Sequence, residues 1–147
     1  MKPTKWTIIA VLAALPWIAG CRSFEKDWQQ AASGSESAPA RGTGRWIGTW
    51  GNTNNGHGGP LRAVHVSPDG TNYNARFHAV WGSHSGSFRT TLHGAWQGDE
   101  CRFTGSRRVL GFRIETDGTL TDQTLEAVYT SAFDNGRFTL RRPEPAK

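Results

Sequence analysis

At 147 residues the chain has room for one domain with one core, and its net charge of +5 is modest. Two of those charges, Lys2 and Lys5, sit in an apolar leader, and no basic cluster elsewhere exceeds the pairs Arg107-Arg108 and Arg141-Arg142, so composition argues against a nucleic-acid-binding module. Between 45 and 142 lie four Trp, six Phe and two Tyr; each contributes on the order of 2 kcal/mol when buried, enough for a short-stranded domain to offset its ordering entropy without disulfides.

In chain order, Met1 to Lys5 is short and positive, Thr7 to Ile18 is apolar apart from Pro16, and the small pair Ala19-Gly20 precedes Cys21. The apolar run is shorter than the roughly 20 residues that cross a bilayer, and reads as a signal peptide over 1–20. The ending Trp17-Ile18-Ala19-Gly20-Cys21 resembles the lipobox of bacterial lipoproteins, with Trp17 where that pattern most often has Leu. The resemblance implies cleavage before Cys21, acylation of Cys21 and stable attachment by several acyl chains. Arg22 stands where the family places an Asp to retain its members in the inner membrane, which implies an outer-membrane protein facing the periplasm of a two-membrane envelope. With Cys21 acylated, Cys101 is the one thiol left, and its strand parity with Phe103 marks it as a buried, inert side chain.

Residues 21–44 lack a sustained apolar period, and 31–44 is almost wholly Ala, Ser, Gly, Thr and Pro, so this stretch reads as a disordered tether. Phe24 and Trp28, four apart, would suit a single turn resting on lipid headgroups, but an unstructured tether is the preferred reading.

From Arg45 the hydrophobic period is two. Strands are expected over 45–51, 61–67, 72–81, 87–96, 100–105, 109–116, 124–132 and 136–142, separated by turn chemistry such as Ser67-Pro68-Asp69-Gly70, Gln97-Gly98-Asp99, Asp117-Gly118 and Asp134-Asn135-Gly136. Parity puts Tyr73, Phe77 and Trp81 on one face, with Phe88, Leu92 and Trp96, with Leu110, Phe112 and Ile114, and with Leu125, Ala127 and Tyr129. Eight short strands with one apolar face and no covering helix close most economically into an all-β, single antiparallel meander barrel over 45–142, with 143–147 as a tail; a two-sheet sandwich is the runner-up.

Gly48-Thr49-Trp50 on the first strand resembles the Gly-x-Trp signature of the calycin barrels, the group that contains the lipocalins. In that group an Arg from the last strand packs on the Trp at one barrel end, and parity selects Arg142 over Arg141 as the partner of Trp50. The run from Gly56-His57 to Arg62, and the Tyr129 to Pro143 pattern, are also similar to uncharacterised bacterial β-barrel proteins, which imply a fold but no activity.

No residue set dictates a reaction. Gly82-Ser83-His84-Ser85-Gly86 has the glycine spacing of a nucleophile elbow, but its centre is His and it joins two strands. A hairpin centred near 84 or 85 keeps His78 and His93 from facing each other, so neither a metal nor another cofactor is expected. The Gly51 to Pro60 stretch reads as a flexible loop over one barrel mouth. A lipid-anchored, non-enzymatic packed barrel serving as a structural or interaction module is therefore the leading expectation, with an envelope protein as its partner. The alternative is a lipocalin-like carrier of a small apolar or amphipathic ligand, walled by Tyr73, Phe77, Trp81, Phe88, Trp96, Phe112 and Tyr129, with Arg142 or Arg62 for a carboxylate.

Overall fold

The computed structural model describes residues 15–33, 40–109 and 111–145. The leader residues 1–14, the tether residues 34–39, Leu110 and the last two tail residues lie outside the described residues, as do the side chains of 15–22, including the thiol of Cys21.

Alternation of apolar and polar residues produces eight strands: β1 (Gly44–Asn52), β2 (Gly58–Val66), β3 (Asn72–Trp81), β4 (His84–Gln97), β5 (Glu100–Val109), β6 (Phe112–Leu120), β7 (Thr124–Thr130) and β8 (Asn135–Arg141). Each pairs antiparallel with the next, and β8 returns to β1 through Ile47↔Arg141 to Asn52↔Gly136, so the sheet is a closed meander barrel with no free edge. The expected fold class is the observed one. Trp46, Tyr73, Phe77, Leu92, Phe103, Leu125 and Phe138 form one continuous core inside it.

Three local expectations are corrected. Asp117-Gly118 is not a turn; it lies within β6, opposite Val128 and Ala127, and the chain reverses instead at 121–123. Glycine is required at 118 for closeness, because a Cβ there would come within 2.4 Å of the Glu126 carbonyl oxygen and 2.5 Å of the Phe103 ring. The β3–β4 hairpin turns at Gly82-Ser83, two residues earlier than read, so His78 faces Ser87 and His93 faces Asn72. The two histidines still do not face each other. Finally, the loop after β1 is short and pinned: Asn52 is buried, its side-chain oxygen accepts from the amides of Asn54 and Asn55, and its amide nitrogen donates to Asp134.

The largest departure precedes the barrel. Helix α1 (Leu15–Ala32) occupies much of the stretch read as tether. Phe24 and Trp28 do sit one turn apart, but they pack on the outside of the barrel with Val64, Ala31 and Ile47, and Phe24 is fully buried. Glu25 pairs with Arg62 at 3.1 Å and Asp27 with Arg76 at 2.5 Å. The outer face of β2 and β3, polar along β3 at Asn74, Arg76 and His78, thus carries a second small core.

Candidate functional site: a half-open barrel

The barrel interior has two unlike halves. One end, where β1, β3 and β7 begin, is solid. Arg142 lies 3.9 Å over the ring of Trp46, and its guanidinium donates to the carbonyl oxygens of Thr43 (2.7 Å) and Arg45 (3.2 Å). The Trp46 indole donates in turn to the Gly42 carbonyl oxygen at 3.3 Å. Beside it Arg41 lies 3.8 Å over Trp96 and pairs with Asp122, while the Tyr73 hydroxyl sits 2.7 Å from the carbonyl oxygens of both Arg41 and Gly70. Residues 41–43, read as tether, are therefore the cap of this end.

Arg142 stacks on Trp46 and not on Trp50, which corrects the expected closure pair. The spacing Gly-x-Trp occurs twice, at Gly44-Arg45-Trp46 and at Gly48-Thr49-Trp50, and the first is the one that reaches Arg142, the residue that follows β8. Four residues along an extended strand is roughly 13 Å, so Trp50 belongs to the other end. Gly48 lies between them at the β1–β8 seam, where a Cβ would come within 1.9 Å of the Thr139 carbonyl oxygen.

His65 is buried among Trp46, Tyr73 and Phe77 with neither ring nitrogen hydrogen-bonded among the described residues. Burial, reinforced by the nearby Arg142 charge, pushes its pKa down to about 3, so the ring is neutral at ordinary pH. It acts as an aromatic packing residue.

The opposite half is hollow. A cavity of about 240 Å³ opens at the end where β2, β4, β6 and β8 begin, between Trp50, Leu61, Ala79, Trp81, Phe88, Ile114, Tyr129 and Phe138. Stacked rings pack around it, Phe77 beneath on Phe88 at 5.0 Å and Tyr129 on Phe138 at 5.1 Å. The Trp50 indole is held against the wall by donating to the Val80 carbonyl oxygen at 3.0 Å. Polar groups are few: Thr90, Thr116, the Tyr129 hydroxyl and Arg107, whose guanidinium donates to the Arg89 carbonyl oxygen. Burial, then the adjacent Asp134 carboxylate, raises the Tyr129 pKa to about 12, so this hydroxyl stays protonated.

Of the expected wall, Trp81, Phe88 and Tyr129 line the cavity, and Phe77 lies under it against Phe88. Tyr73 and Trp96 belong to the solid end, where Trp96 donates to the Gly70 carbonyl oxygen at 2.8 Å. Phe112 is outside: β6 starts there at the rim, so inward parity meets solvent, and its ring rests edge-on against Phe133 at 4.7 Å. Neither expected carboxylate partner reaches the cavity, since Arg62 is on the outer wall with Glu25 and Arg142 is in the opposite cap. Arg107 is the cation that does. Phe138 shared the parity of Arg142 and was within reach of sequence reasoning; Ala79 contributes by being small, a property with no periodic signature.

Cys101 is a buried free thiol whose pKa burial raises, in keeping with an inert side chain. Among the described residues no three of His, Cys, Asp and Glu gather as metal ligands, and no helix is long and apolar enough to cross a membrane. Compared with family models, curated proteins and solved structures, the chain matches none of them.

Proposed function

We propose that this protein is a lipid-anchored, non-enzymatic envelope barrel that holds a small amphipathic molecule in its open half. The observation that carries the reading is the apolar cavity of about 240 Å³ above a solid floor. That volume is below the usual range for drug-sized ligands, roughly 300–1,000 Å³, and suits a short acyl chain or a single ring system. Arg107, on the cavity wall near the rim, supports an anionic end on the ligand, while the neutral Tyr129 hydroxyl, beside Asp134 of a mouth turn, provides a donor or acceptor. The lipocalin-like resemblance and the lipobox fit the same reading. The packed-module alternative is supported by the solid half alone.

The test uses the chain without residues 1–20 and with Cys21→Ser, titrated with octanoate and 1-octanol under native mass spectrometry. Uptake of octanoate at one site per chain is expected. Ala79→Phe, which fills the hollow, should weaken both ligands at least about tenfold, while Arg107→Gln should weaken octanoate and spare octanol. A clean unliganded mass with octanoate, and with a panel of lipid extracts, would leave the barrel as a packed module only.

A further inference from the structure

Helix α1 runs in the same direction as β2, and this fixes which end of the barrel its start approaches. Phe24 stacks on His78 at 5.1 Å and its neighbour Glu25 pairs with Arg62, whose register partner is His78. One turn on, Asp27 pairs with Arg76, and at its far end Gln30 and Ala31 border Val66 and Asn74 beside the solid end. The start of the helix therefore points to the mouth. Cys21 precedes Phe24 by three residues, about 4.5 Å of helix, on the mouth side.

The mouth end carries most of the exposed apolar bulk. Of the five exposed large hydrophobic residues among those described, Val66 alone is at the solid end; Trp81 (43% exposed), Phe112 (47%) and Phe133 (71%) stand on the rim, with Val128 on the wall below. Large aromatic rings standing free in water are unfavourable, whereas at a bilayer interface their amphipathic rings are favoured. The rim also carries positive charge: Arg107, Arg108 and Arg137 lie close to it, and in the described mouth turns the one acid is Asp134, already bonded to Asn52 and Tyr129.

We propose that the mouth is a membrane-docking face: Trp81, Phe112 and Phe133 settle among the headgroups of an anionic bilayer, so that the cavity opens onto the lipid to which Cys21 is attached. This rests on the lipid-anchor part of the proposed function and not on the identity of the cavity ligand. The arginines near the rim meet the negative surface, the solid end faces away from it, and the docked α1 acts as a short rigid spacer that keeps the mouth down. Ligand exchange then occurs between bilayer and barrel, without passage through water.

The test is made on the full chain as processed by the cell, reconstituted in vesicles of phosphatidylethanolamine and phosphatidylglycerol. An environment-sensitive fluorophore is placed on Ser83→Cys at the mouth, or on Gln123→Cys at the solid end; both positions are exposed and the native Cys101 is buried. With spin-labelled lipid in the vesicles, the label at 83 should lose roughly half its emission while the label at 123 changes little. Equal quenching at both positions, or quenching only at 123, overturns the proposal. The intact mass of the same sample reports whether Cys21 is acylated. Should it not be, the anchor reading fails by that measurement, and the unacylated labelled chain added to the same vesicles tests the face alone: quenching at 83 and its loss in Phe112→Ser/Phe133→Ser support it, and no quenching at 83 overturns it.

Discussion

Arg142 shows how much one side chain can hold when its geometry is planar. Its planar guanidinium covers Trp46 while Nη1 donates to the Thr43 and Arg45 carbonyl oxygens and Nε to that of Asp122, a combination that an ammonium group cannot reproduce. A double-mutant cycle on Trp46→Ala and Arg142→Ala should show a coupling of about 1 kcal/mol or more in denaturant unfolding, whereas Trp50→Ala and Arg142→Ala should add within about 0.5 kcal/mol. His65 supplies a second measurement. Its folded pKa, about 3, is below the ordinary 6.5, so the unfolded chain binds the proton first. The stability this neutral ring contributes is complete above pH 6.5 and is lost as pH falls towards 3, by up to about 1.4 kcal/mol per pH unit. His65→Phe keeps the packing against Tyr73 and Phe77 and removes the titration, so the stability difference between the native chain and this variant should shift in the variant's favour between pH 7 and pH 5. Parity reasoning found Arg142 but attached it to the wrong tryptophan. Both Trp46 and Trp50 face inward, and choosing between them requires the stagger of β8 against β1, which depends on barrel shear and not on any one strand's pattern.

At the scale of elements, the strands were legible because each has one face in the core, and the helix was not because, among its described side chains, two large ones are buried. Phe24 and Trp28 make a stripe too brief to stand out from the polar sequence around them, and most of the helix's remaining grip is ionic, through Glu25 and Asp27. Phe24→Ser should remove about 2–3 kcal/mol of packing from this element alone. In hydrogen exchange the amides of 24–32 should lose protection while those of β4 to β7 keep theirs; equal loss throughout would mean that helix and barrel unfold as one unit. The misread Asp117-Gly118 has a related cause. The dipeptide is a strong local turn signal, yet glycine is also the residue that lets Phe103 and Glu126 come close across the sheet, and only tertiary context separates the two uses.

For the whole molecule, eight strands of period two with short connections were sufficient to anticipate a closed barrel, because closure is the one arrangement that leaves no edge exposed. The hollow half was not legible. Strand parity states which side chains face inward but not whether they fill the space they enclose, and here large rings meet at the floor while Ala79 and Thr90 leave room above it. The seam between β1 and β8, together with the bonds from Arg142 back to Thr43 and Arg45, also sets the timing of folding. These contacts join residues almost a hundred positions apart, so during synthesis β1 is a bare edge until the last strand has been made. The barrel therefore cannot be completed piecemeal as the chain emerges, and a chain truncated before β8 would be left with two open edges prone to pair with other copies.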